Sequence, residues 1–167
     1  MQDQSTLIHL EYVGDRSFDE IVAAFEAATA PVNGDQFREA VVASVGDVED
    51  FEKRIHGFEG PSGFMRFLDI DHGAWMQVLG IPGRAKCYIL GNPLIAATMV
   101  RHDIGAGLNA PVRILIIEDP SSRRAKLVYD LPSSLMARLG NDQLNAAALK
   151  LDEKLAALAE LATGAHA

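Results

Sequence analysis

One cysteine, Cys87, stands in 167 residues. A lone thiol cannot close an internal disulfide, which fits a reducing compartment. Paired-cysteine, His-x-His and His-Glu-x-x-His patterns are all missing, so no zinc motif is present. No apolar run approaches the ~20 residues that span a bilayer. Met1 to Ser5 has neither a basic stretch nor an apolar one, which predicts no signal peptide and a cytoplasmic protein. Basic charge is scarce too: 15 Lys and Arg face 23 Asp and Glu, for a net charge of −8. Long-range attraction to nucleic acid or to an anionic membrane is therefore disfavoured. The basic cluster Arg123, Arg124 and Lys126 reads as a solvated hairpin turn. There is no Gly-x-Ser-x-Gly elbow, and Gly105-x-Gly107 follows a helix rather than a strand, so neither a hydrolase nor a dinucleotide fingerprint is supported.

What the chain does have is apolar substance. Half its residues are hydrophobic (49%), enough at this length for one domain with its own core. Thr6 to Val13 alternates as a strand. Ser17-Phe18-Asp19-Glu20 is a capping box, and Phe18, Ile21, Val22, Phe25 and Ala28 form the stripe of the helix it opens, with Pro31 as the stop. Residues 33 to 63 are ambiguous. Phe37, Val41 and Val45 have helical spacing, yet Ala40 to Val45 also suits a strand; Asp47 can cap a short helix closed by Gly57.

Strands follow at Phe64 to Ile70 and Ala85 to Leu90, each leading into a helix, the first capped by Asp71 and the second by Asn92 with Pro93 at its first position. After the loop Gly105 to Pro111, Val112 to Glu118 and Ala125 to Tyr129 form a hairpin. Pro132 starts a short helix ended by Gly140. Asn141 or Asp142 caps a long last helix, whose Leu144, Ala148, Leu151, Leu155, Leu158 and Ala162 make a narrow seam for a neighbouring helix or a second subunit. Strands and helices do not alternate strictly. The expected fold is α+β: a single compact domain, a mostly antiparallel sheet with helices layered on it, and a long C-terminal helix.

Three blocks of residues carry a resemblance. They are Asp69-Ile70-Asp71-His72-Gly73-Ala74; Tyr88-Ile89-Leu90-Gly91-Asn92-Pro93; and Leu108 to Asp119, completed by Tyr129-Asp130-Leu131-Pro132. In order and spacing they resemble the domain-of-unknown-function 302 family, best over residues 64–140. Phe18 to Ala28 looks like that family's first helix. The stretch at about 33–60 is longer here, and Asn109-Ala110-Pro111 stands where relatives look more like Asp-Leu-Pro. The resemblance implies a compact α+β fold and self-association, here a homodimer, and implies no agreed activity. The extra segment can cover or reshape whatever site the family has.

Candidate chemistry centres on His72, which follows a strand and opens a helix. Asp69 and Asp71 lie on one side of that strand and can join it around a divalent metal. Met76 and Trp75 on the same short helix make a noncovalent haem the alternative cofactor, with His72 as axial ligand. The plain alternative is that Asp71 caps the helix and His72 is structural. Gly91-Asn92-Pro93 leaves backbone N–H groups at a helix start, where an anion is favoured. Arg113, in an otherwise apolar strand, needs a carboxylate or a ligand, and Tyr129 offers a phenol to the same crevice or simply packs. Cys87 reads as a core thiol. The ligand-binding candidates are thus His72, Asp71, Asn92, Arg113 and Tyr129; the metal or haem candidates are His72, Met76 and Asp69. Three functions stay open: a homo-oligomeric small-ligand-binding or sensory module with a pocket near His72, a haem or metal protein, or a metal-free enzyme with His72 as general base.

Overall fold

The structure is a computed structural model and describes residues 5–165. Six strands form one sheet: β1 (His9–Tyr12), β2 (Ala30–Pro31), β3 (Met65–Asp71), β4 (Arg84–Gly91), β5 (Val112–Glu118) and β6 (Ala125–Asp130), in the order β1-β6-β5-β4-β3-β2. Every pair is antiparallel except β2 with β3. The helices are α1 (Phe18–Ala28), α2 (Gly34–Ala43), α3 (Val48–His56), α4 (His72–Val78), α5 (Pro93–Val100), α6 (Pro132–Met136) and α7 (Asp142–Thr163). The fold is therefore α+β, a mostly antiparallel sheet in a single compact domain with a long C-terminal helix.

Alternation along the strands builds the core. On one face Tyr88, Leu90, Ile114, Ile116 and Leu127 are fully buried beneath α1 and α7. Helix α1 starts where its capping box requires: Glu20 N–H donates to Ser17 Oγ, and Ser17 N–H donates back to the Glu20 carboxylate. It links β1 at one edge of the sheet to β2 at the other, so it crosses the whole face. The seam of α7 is buried from Leu144 to Ala162, and what buries it is α1 and the sheet of the same chain. Between helix and stop signal, Ala30 and Pro31 add a short parallel strand that the sequence pattern does not announce. Residues 40–43 resolve as helix and not strand: α2 runs to Ala43, capped by Asn33, and joins α3 to shelter a second small core of Val32, Ile55 and Met65.

On the opposite face of the sheet α4 packs against β4. Here Cys87, Ile89, Leu115 and Ile117 remain half-exposed, and Leu68 is 51% exposed. Cys87 thus sits on the thinly covered face and not, as expected, in the core.

Candidate functional site

Strands β3 and β4 are antiparallel, with Asp71 opposite Lys86 at one end and Met65 opposite Gly91 at the other. The two strand-to-helix junctions, Asp71-His72 and Gly91-Asn92-Pro93, therefore lie at opposite ends of the sheet, about 20 Å apart at ~3.4 Å per residue.

At the first junction Asp71 caps α4 by accepting from Ala74 N–H at 3.0 Å. His72 lies against Trp75, whose indole N–H donates to His72 Nδ1 at 3.1 Å. That bond assigns the imidazole proton to Nε2, so His72 offers the sheet face a donor and no free lone pair. His72 lines a depression of about 240 Å³ with His9, Cys87, Arg113, Val128 and Asp130. Asp69 points to the other face of the sheet, where it accepts from Arg66 at 2.8 Å. Met76 packs toward Gly83. The structure does not gather His72, Asp69 and Met76, and no cluster of three or more His, Cys, Asp or Glu able to hold a metal occurs among the described residues. This donor set suits neither a divalent cation nor a haem iron in the arrangement shown.

Arg113 shares the His72 depression, so these two predicted residues do meet. It pairs with no carboxylate among the described residues, although Asp130 lies in the same hollow. Tyr129 also borders this hollow, but its phenol is engaged elsewhere: its ring is buried, stacks on Tyr12 at 5.9 Å, and its hydroxyl meets that of Tyr12 at 3.4 Å. Burial and the Tyr12 hydroxyl hold the Tyr129 phenol protonated far above the usual tyrosine range. Burial also raises the Cys87 thiol, with the Arg113 charge only partly opposing it, so Cys87 is a poor nucleophile.

The second junction differs. Between β4, α5 and α7 lies a cavity of about 290 Å³ walled by Phe37, Phe64, Phe67, Ile95, Met99 and Val112, among others. Three local features make it. A β-bulge between Arg66 and Leu68 re-aims Phe67, which stands edge-on to Phe37 at 5.4 Å. Gly91 contributes no side chain, where a Cβ would come within 3.3 Å of Pro111 and 3.6 Å of Phe67. And α2, from the segment that looked longer than in relatives, delivers Phe37. Asn92 is the one polar side chain on the wall, and both its donors are spent: it accepts from Leu94 N–H at 2.8 Å and donates to the Glu59 carboxylate and to Gly63 O. The cavity therefore offers a visitor an apolar wall and no free side-chain donor.

Next to it, sharing Asn92, Ile95 and Leu151, runs a polar groove of about 620 Å³ between α5 and α7. His56 and Glu59, from the end of α3 and the loop after it, form its rim. Sequence reasoning found Asn92 but missed the rest of this site. Phe37 entered only as one of three helically spaced residues, and no motif marks Lys150 or Lys154.

A third polar group joins β3 and β4 midway between the junctions. Glu26, from α1, accepts from Lys86 Nζ and from Tyr88 Oη at 2.7 Å, with Arg66 Nη1 at 3.4 Å. Burial works to raise the Glu26 carboxyl, but the bonds from Lys86 and Tyr88 and the charge of Arg66 outweigh it and hold it below its ordinary value. The cluster reads as an inter-strand clasp.

Comparison with known proteins agrees with this architecture. A crystal structure of an uncharacterized conserved DUF302 protein from Bacillus stearothermophilus superposes with a TM-score of 0.61 over 92% of this chain and 97% of that one, at 13% identity, a likeness of fold. A search among curated proteins found no match. No helix among the described residues is long and apolar enough to cross a membrane. The family model described as domain of unknown function DUF302 matches residues 40–162, most of the chain, and the protein belongs to that family.

Proposed function

We propose that this chain is a cytoplasmic small-ligand-binding module whose site is the cavity at the β4–α5 junction. The observation that carries the reading is the cavity itself: an apolar hollow at the end of a central strand, near the lower bound of the ~300–1,000 Å³ typical of small-molecule sites. Its single polar wall residue is spoken for, so the part of the ligand inside is apolar. The test uses an uncharged environment-sensitive dye, N-phenyl-1-naphthylamine. Saturable uptake of one dye per chain is expected, and Ala96→Trp, which fills the cavity, should reduce it at least tenfold. Unsaturable binding, or equal binding by the variant, overturns the reading.

A second copy of the chain is the proposed partner for the thinly covered sheet face. Leu68, Trp75, Val78, Leu79 and Ile81 are exposed there, beside the half-exposed Ile89, Leu115 and Ile117. An apolar patch of this kind on one face suits the self-complementary contact of a two-fold dimer. Light scattering should give twice the chain mass, and Leu68→Lys should return the chain mass without loss of fold. A wild-type monomer at micromolar concentration ends this proposal.

A further inference from the structure

Cationic side chains are distributed unevenly in this acidic chain. Where the whole protein carries −8, the groove beside the cavity is lined by Arg101, Lys150 and Lys154 against one carboxylate, Glu59. None of the three cations has an acidic partner within salt-bridge distance among the described residues, a state they share with Arg16, Lys53, Arg113, Arg124 and Arg138, and here three such cations line one groove. Lys150 and Lys154 stand one turn apart on α7, where like charges repel and cost stability. Arg101 spends its Nε on the carbonyl of Ala97, which leaves its terminal nitrogens free. Glu59 is already occupied: one carboxylate oxygen accepts from Asn92 and the other meets His56 Nδ1 at 3.1 Å. The groove thus presents unspent positive charge on one side and a tied-down carboxylate on the other.

The cavity and the groove meet along Asn92, Ile95 and Leu151. One holds apolar matter and offers no free side-chain donor; the other sets three cations against one tied-down carboxylate and is open to water. We infer that the ligand is a single-chain amphipathic anion, with its hydrocarbon body in the cavity and its carboxylate or phosphate head in the groove against Arg101, Lys150 and Lys154. This rests on the cavity being the binding site and adds the ligand's class to it. The orientation follows from desolvation: an ionised head costs far too much inside an apolar wall, whereas in the groove it keeps its contact with water and meets the three cations.

The experiment measures displacement of the uncharged dye by decanol, decanoate and decyl phosphate, each below its aggregation concentration and at low salt. Both anions are expected to displace it about tenfold more effectively than decanol, a preference that shrinks as salt rises because the groove is open to solvent. Lengthening the tail should tighten binding about fourfold per added methylene until the cavity is full. The double variant Lys150→Gln, Lys154→Gln should bind the dye and decanol unchanged and lose most of the preference for the anions. A difference between decanoate and decyl phosphate assigns the head. If the dye binds but the alcohol and both anions compete equally, or if the double variant keeps the full preference, the amphipathic-anion inference is wrong and the cavity reading survives. If the dye does not bind, the cavity reading falls first. Sedimentation with anionic phospholipid vesicles, without displacement by the free amphiphiles, would instead make the groove a membrane-contact surface and overturn the inference.

Discussion

The two strand-to-helix junctions share a local grammar and differ in almost everything else. Asp71 and Asn92 each end a strand and cap the helix that follows. Yet the Asp71-His72 junction opens onto an exposed sheet face, while the Asn92-Pro93 junction is buried between α5, α7 and α2 and encloses a cavity. The difference is one of neighbours. Helix α4 packs chiefly on β4, whereas α5 is gripped by α7, the segment after it and α3. A capping residue thus becomes part of a site only where other elements converge on it.

The sharpest way to break this comparison is to remove both residues. Asn92→Ala deletes the α5 cap and strips partners from Glu59 and Gly63 O, and should cost about 2–4 kcal/mol. His72→Ala loses one exposed contact and should stay within ~0.5 kcal/mol. Urea unfolding measures both, and equal losses would erase the contrast between the junctions.

The clasp between the junctions gives the next largest effect. Because the folded-state Glu26 carboxyl lies below its ordinary value, its stabilisation is fully present above about pH 4.5 and is lost as pH falls through the depressed value. Glu26→Gln should therefore destabilise by about 1–2 kcal/mol at pH 7, a difference that shrinks as pH falls below about 4.5, read from denaturant midpoints at each pH. A pH-independent loss would assign Glu26 a packing role.

Asp152 tests the wall of α7 that adjoins the cavity, and its sign is opposite. Burial raises its carboxyl, only partly offset by the bond from Ser133, and its Oδ2 has no partner. The folded state then holds its proton to higher pH than the unfolded chain does. Stability accordingly falls as pH rises from about 3.8 through the raised value. Asp152→Asn should gain about 1 kcal/mol at pH 7, and the gain should vanish toward pH 4, in calorimetric melts. A destabilised variant at pH 7 contradicts the assignment.

The smallest effect is at the first junction. Trp75→Phe removes the indole donor to His72 at little cost in stability, below ~0.5 kcal/mol. Nitrogen chemical shifts should show the wild-type His72 as the Nε2–H tautomer and the variant as a mixture. A wild-type mixture would free His72 Nδ1 and reopen the first junction as a ligand site.

Most local structure was legible in the residues. The Ser17–Glu20 capping box, the caps at Asp47, Asp71, Asn92 and Asn141, and the β5–β6 hairpin all stand where short-range chemistry puts them. These signals depend on residues three or four apart, and a sequence displays such spacing directly. The site was only partly legible. Asn92 carried a signal because a cap is local; Phe37, Phe67, Met99, Arg101 and Lys154 carried none, since their meeting depends on four different elements.

By itself, then, the amino-acid order determined the family, the class of fold, and nearly every helix start, because capping and alternation are encoded within a few residues. The direction of β3 against β4 was a tertiary decision, settled by register and burial across 20 and more residues of chain. That antiparallel pairing separated His72 from Asn92 and laid α5 against α7. It also set an apolar cavity beside three unpaired cations. Side chains far apart in sequence meet only when the core has chosen which faces to bury, and a cavity is what that choice leaves unfilled.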